Sequence, residues 1–158
     1  MKTEIMRLQK DETRPEQTGR LLLGAMLVNA GISHLTYARD DFKAQVPPWL
    51  PMETDAVVLA SGGVEIALGG ALLILPRRRV LIGRIAGAFF LAVFPGNIAQ
   101  WTHHRSAFGL NSDRARFIRL FFQPLLVAWA LWSTSAWRRT RQKPSVEQPI
   151  SISIANGR

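Results

Sequence analysis

Polar and apolar positions fall in long blocks along this chain. Four apolar runs predict four helices, spanning 19–37, 56–75, 80–100 and 116–137. Each run is about 20 residues, the helical length that crosses a hydrocarbon core about 30 Å thick. A tight basic turn, Pro76–Arg79, joins the second and third runs. The other two connections, Ala38–Asp55 and Trp101–Ala115, are longer and polar. Within the first of them, Val46-Pro47-Pro48-Trp49-Leu50-Pro51 cannot form a regular helix. It is apolar enough to lie in the membrane interface or fold back onto the helices. Residues 1–18 read as a polar cytosolic tail or a short surface helix, and 138–158 as a basic stop followed by a disordered tail. Val28-Asn29-Ala30 has the small-residue spacing of a signal-peptide cleavage site, but Glu4, Asp11, Glu12 and Glu16 give the preceding segment an acid load that signal peptides lack. The first run is therefore read as a retained helix.

Charge placement orients the helices. The net charge of +9 over 158 residues raises the question of nucleic-acid binding. The basic residues instead collect before the first run, in the turn at Arg77, Arg78 and Arg79, and after the fourth run at Arg138, Arg139, Arg141 and Lys143. That is the positive-inside pattern. The expected fold is an all-α integral membrane four-helix bundle with both termini in the cytoplasm. Its expected partners are the lipid bilayer and either another membrane subunit or a second copy, with no nucleic acid. Arg105, Arg114, Arg116 and Arg119 run against this orientation, since they fall on its outer side. Trp49 and Trp101 mark the outer interface and Trp132 and Trp137 the inner one, as aromatic belts do. The chain has no cysteine, which excludes disulfide, thiolate, Fe–S and paired-cysteine redox chemistry.

Candidate chemistry centres on Glu65, the one ionisable side chain in Ala56–Leu75. A charge at that depth costs a few kcal/mol and calls for a partner, a proton or a polar cavity. His34 and Asn97 come late on the outward-going first and third helices, and Arg119 and Gln123 early on the inward-going fourth. His34, Glu65, Asn97, Arg119 and Gln123 are therefore expected to converge on one outward-opening pocket. Pro95 and Pro124 are expected to free the carbonyls of Leu91 and Leu120 beside it. Three readings compete. Glu65 pairs with Arg119 or His34 to specify helix docking; or His34 and Glu65 exchange protons with a lipophilic ligand such as a quinone; or the cluster docks a partner subunit. Gly24, Gly31, Gly62, Gly69, Gly83 and Gly87 form small-residue stripes that let helices approach closely. One spanning His and one Glu make a poor metal site, and adjacent His103 and His104 point apart, so no metal is expected. No phosphate-binding loop or hydrolase motif is present, and no residue is assigned as catalytic.

Five segments in order carry a resemblance. They are Ala30-Gly31-Ile32-Ser33-His34-Leu35, Val46-Pro47-Pro48-Trp49-Leu50-Pro51, Ser61-Gly62-Gly63-Val64-Glu65-Ile66, Val93-Phe94-Pro95-Gly96-Asn97-Ile98 and Arg119-Leu120-Phe121-Phe122-Gln123-Pro124. In these the chain resembles the DoxX-like family of small four-span bacterial membrane proteins, over about Leu22 to Trp132. One departure lies near the end, where Phe121-Phe122 precedes Gln123 and the proline follows it. The resemblance implies a four-helix bundle in the bacterial inner membrane. It also implies an accessory role in membrane redox or oxidative-stress chemistry, because the family is associated with a quinone-linked thiosulfate-oxidising complex and with maturation of periplasmic redox enzymes. It points to an accessory subunit more than a stand-alone enzyme. Thiosulfate chemistry itself is not expected, for the chain has no sulfur-handling group. The alternative is a non-enzymatic assembly or packing partner of another membrane protein.

Overall fold

A computed structural model describes residues 12–139. All regular structure among them is helical: α1 Arg14–Leu35, α2 Arg39–Lys43, α3 Thr54–Ile74, a 3₁₀ turn Pro76–Arg78, α4 Arg79–Thr102, α5 Asp113–Leu120, α6 Phe122–Ser133 and α7 Ala136–Arg139. Three stretches are long and apolar enough to cross a membrane: Thr54–Ile74, Pro76–Thr102 and Asp113–Ser133. α1 is not among them. Its 22 residues are long enough, but Glu16, Arg20, Asn29 and His34 dilute its apolar character.

The boundaries have local causes. α1 starts at Arg14, before the expected Gly19, because Thr13 and Glu16 form a capping box and Pro15 lies in the first turn. Residues 14–18, read as tail, are therefore helix. The tail's first eleven residues and everything beyond Arg139 lie outside the described residues. Leu75 precedes Pro76, which disfavours the helical region for it, and α3 stops there. The expected fourth span, 116–137, is interrupted. Pro124 has no N–H for the carbonyl of Leu120, the last residue of α5, and the rod breaks at Phe121. It ends at Ser133 rather than Trp137, because Ser135 turns the chain with φ of 59°.

Leu23 and Leu27 of α1, Leu68 and Leu72 of α3, Ile82, Ala86 and Phe90 of α4, and Ala130 of α6 form one buried core. Their four-residue spacing puts them on single helix faces. Outward faces stay apolar: Leu22, Met26, Ile74, Leu81, Leu91 and Leu125 are all exposed. α1 and α3 make the most extensive contact, and glycines set it. A Cβ on Gly31 would lie 2.5 Å from the Gly62 carbonyl oxygen, and one on Gly69 would lie 2.6 Å from that of Gly24. The two stripes thus meet backbone to backbone, in antiparallel register.

One end of the fold is held by charge. Arg20 is 2% exposed; it donates to Glu12 at 2.8 Å and to the Leu72 carbonyl. Arg79 lies 3.9 Å from the same Glu12 carboxylate, and Glu16 pairs with Arg138. Buried charges persist only when paired in this way. The Arg20, Arg79 and Arg138 end is opposite to the end where His34, Thr54, Thr102 and Asp113 collect.

Candidate functional site

The glycine contact creates the His34–Glu65 pair. Gly62 has no Cβ, and one placed there would be 2.7 Å from the His34 Cβ. His34 therefore lies directly on α3, against the face that also carries Glu65 one turn later. Its Nδ1 is 3.0 Å from Glu65 Oε2 and 2.9 Å from the Ala30 carbonyl oxygen. A carbonyl and a carboxylate both only accept, so Nδ1 carries the ring proton, and its hydrogen-bond geometry favours Ala30. The approach to Glu65 is then close without hydrogen-bond alignment, and Oε2 is buried with no donor. The side chains of His34, in the last turn of α1, and Glu65, at the middle of the apolar α3, are 8% and 13% exposed. A carboxylate this deep, whose nearest donor is out of line, is a costly group for a merely packed residue.

His34 also borders a cavity of about 170 Å³. Its walls are Val57, Val58 and Ser61 of α3, Ala92, Val93, Pro95 and Gly96 of α4, and Phe42, Gln45, Val46, Pro47, Trp49 and Leu50 of the connection. The Pro-rich connection folds back onto the helices: Val46 is buried, and the Gln45 carbonyl oxygen lies 2.5 Å from where a Gly96 Cβ would be. Arg39 and Lys43 tie the connection to the start of α3 through Asp55. The hydrogen bond that Arg39 donates to Asp55 is the main cause holding Arg39 above its ordinary pKa, and the bond that Lys43 donates to Asp40 does the same for Lys43.

The other three expected residues form a second site. Asn97 donates to Gln123 Oε1 at 2.9 Å, and Gln123 Nε2 donates to the Phe90 carbonyl. That acceptor is one residue before Leu91, the carbonyl that Pro95 was expected to free; a carbonyl has two lone pairs and can serve a helix bond and a side chain together. Arg119 makes no bond to Glu65. Its Cζ lies 4.9 Å above the Phe108 ring, and with Asn97 and Gln123 it lines a groove of about 510 Å³. The five residues thus divide into a pair and a triad, on either side of the Pro95–Asn97 segment of α4.

Two phenylalanines not anticipated from the sequence join the halves. The Phe42 ring stacks on His34 at 3.3 Å between centroids, with 17° between planes, and meets Phe108 edge-on at 4.6 Å. Phe108 has φ of 56°, a left-handed conformation that bulky residues rarely adopt. The only signal for either residue was an apolar side chain inside a polar connection. Two of the four arginines that ran against the orientation rule, Arg105 and Arg116, are absorbed in the same region. Arg105 donates to the Val46 carbonyl, and Arg116 to the Arg105 carbonyl, Ser106 and Asp113. His103 and His104 do point apart, to Ala99 and Asp113. No group of three His, Asp or Glu side chains able to hold a metal occurs among the described residues.

The Asn97–Gln123 bond ties α4 to α6. Asn97→Leu is expected to lower unfolding stability by about 1 kcal/mol, since interhelical side-chain bonds in membranes contribute on that order. A detergent melting curve checks this, and Asn97→Leu/Gln123→Leu should cost less than the sum of the single changes.

Residues 23–134 match the family model described as Domain of unknown function (DUF8561). No curated protein and no solved structure matches the chain.

Proposed function

We propose that this chain, which belongs to the DUF8561 family, is a multi-pass protein of the bacterial inner membrane that binds a quinone-like ligand beside His34. On this reading α1, α3, α4 and the α5–α6 rod all cross the bilayer as a four-helix bundle. Both termini face the cytoplasm, at the end carrying Arg20, Arg79 and Arg138. The role is accessory to membrane redox or oxidative-stress chemistry, as the DoxX-like resemblance implies.

The observation that carries the ligand reading is the buried Glu65 Oε2 without a donor, 3.0 Å from a histidine that borders an apolar cavity. With Nδ1–H committed to Ala30, Nε2 of neutral His34 is an acceptor. A quinol O–H donates to it. When that proton moves to Nε2, the imidazole becomes a cation, and the Glu65 carboxylate beside Nδ1 stabilises it. The cavity holds one ring-sized headgroup, and Trp49 and Leu50 on its rim lie where a lipophilic tail leaves for the bilayer.

The test is binding of a short-chain quinol to the detergent-solubilised protein, followed by tryptophan fluorescence. Glu65→Gln should weaken binding at least tenfold, about 1.4 kcal/mol, while the protein stays folded. Equal binding by wild type and variant, or none by wild type, sinks the reading.

A further inference from the structure

We infer that the groove at Arg119 seats an anionic phospholipid, with its phosphate on the guanidinium and an acyl chain along Ile118, Phe122 and Leu126. The inference goes beyond the quinone reading and shares with it only the membrane setting. Arg119 is half-buried, yet among the described residues it has no hydrogen-bond or ion-pair partner; its guanidinium rests over the face of Phe108 as a cation–π contact. Its neighbours differ. Arg105 and Arg116 use their donors on backbone carbonyls, Ser106 and Asp113. A guanidinium is always charged and presents a planar fork of donors suited to phosphate oxygens. No carboxylate lines the groove, and the Asn97 and Gln123 amides at its floor are bonded to each other. The groove's about 510 Å³ is the size of a ligand site rather than a packing defect.

The groove's position selects a lipid over a water-borne anion. Ile118 and Phe122 are 48% and 59% exposed, so the groove opens sideways through apolar side chains. Arg119 lies six residues into α5, about 9 Å from its start at the helical rise. That depth suits a headgroup phosphate, with the chain running deeper along α6. The orientation rule also gains a reason: a cation on the unfavoured side is tolerated where a lipid anion neutralises it.

The experiment is native mass spectrometry of the full-length protein with dioleoylphosphatidylglycerol or dioleoylphosphatidylcholine. Wild type should retain the phosphatidylglycerol adduct at least fivefold more than the phosphatidylcholine adduct. Arg119→Gln should abolish that preference, Arg119→Lys should keep part of it, and exposed Arg114→Gln should leave it unchanged. Quinol binding should persist in Arg119→Gln, which separates failure here from failure of the quinone site. Undiminished preference in Arg119→Gln, or equal loss in Arg114→Gln, overturns the proposal. So does a dimer that forms in place of the adduct and is lost in Arg119→Gln, which would assign the groove to a second copy.

Discussion

Gly31→Ala and Gly69→Ala should each destabilise the fold by about 3 kcal/mol, whereas Gly63→Ala and Gly70→Ala in α3 should be neutral or slightly stabilising. The contrast follows from what a methyl group would meet. On Gly31 it would be 2.5 Å from the Gly62 carbonyl and 2.9 Å from the Ile66 nitrogen; on Gly69, 2.6 Å from the Gly24 carbonyl and 2.8 Å from the Val28 nitrogen. These are backbone atoms, so no rotamer change relieves the overlap and α1 must move away from α3. The cost therefore falls at the upper end for an overpacked contact. At Gly63 and Gly70 nothing lies within 4 Å, and alanine only improves helix propensity. Melting temperatures of the four variants in one detergent check the pattern. Equal effects at all four positions would mean that α1 and α3 do not meet along these stripes.

Glu65→Gln is expected to separate stability from binding. A residue kept for packing loses stability when its charge is removed. Glu65 instead has a buried oxygen without a donor, so a neutral amide should hold or raise the melting temperature. Quinol affinity should fall at least tenfold, because nothing then stabilises the His34 cation formed when the proton arrives. His34→Gln should weaken binding as much, and the double variant no further, since the two act as one unit. A drop in melting temperature with affinity unchanged would make the pair architecture alone. The Gly31 and Gly69 variants connect the two predictions, because the Gly31–Gly62 contact is what brings His34 against α3.

Much of this was legible in the sequence because it is local. Apolar runs and prolines locate the helices, and the glycines seven apart, 24/31 and 62/69, anticipate the close faces. Glu65 and His34 stand out because ionisable groups are costly in apolar surroundings. What was not legible depends on tertiary register. Four polar residues at matching depth, with Glu65 beneath them, gave one expected pocket, but depth says nothing about rotation around the helix axis. Asn97 turns toward Gln123, and Arg119 toward Phe108. The Pro-rich connection had two readings, and only its packing of Gln45 on Gly96 decides for the folded-back one. The capping box at Thr13 and Glu16 is a local signal that hydropathy does not carry, and it is why α1 begins earlier than the apolar run.

The most direct test is photolabelling of the reconstituted protein with an azidoquinone, followed by peptide mapping. Quinone binding beside His34 requires label on the 42–50 connection or on Val57–Ser61, lost on competition with excess unmodified quinone and absent from Glu65→Gln. Label confined to the Arg119 groove, or spread over the exposed helix faces without competition, would contradict it.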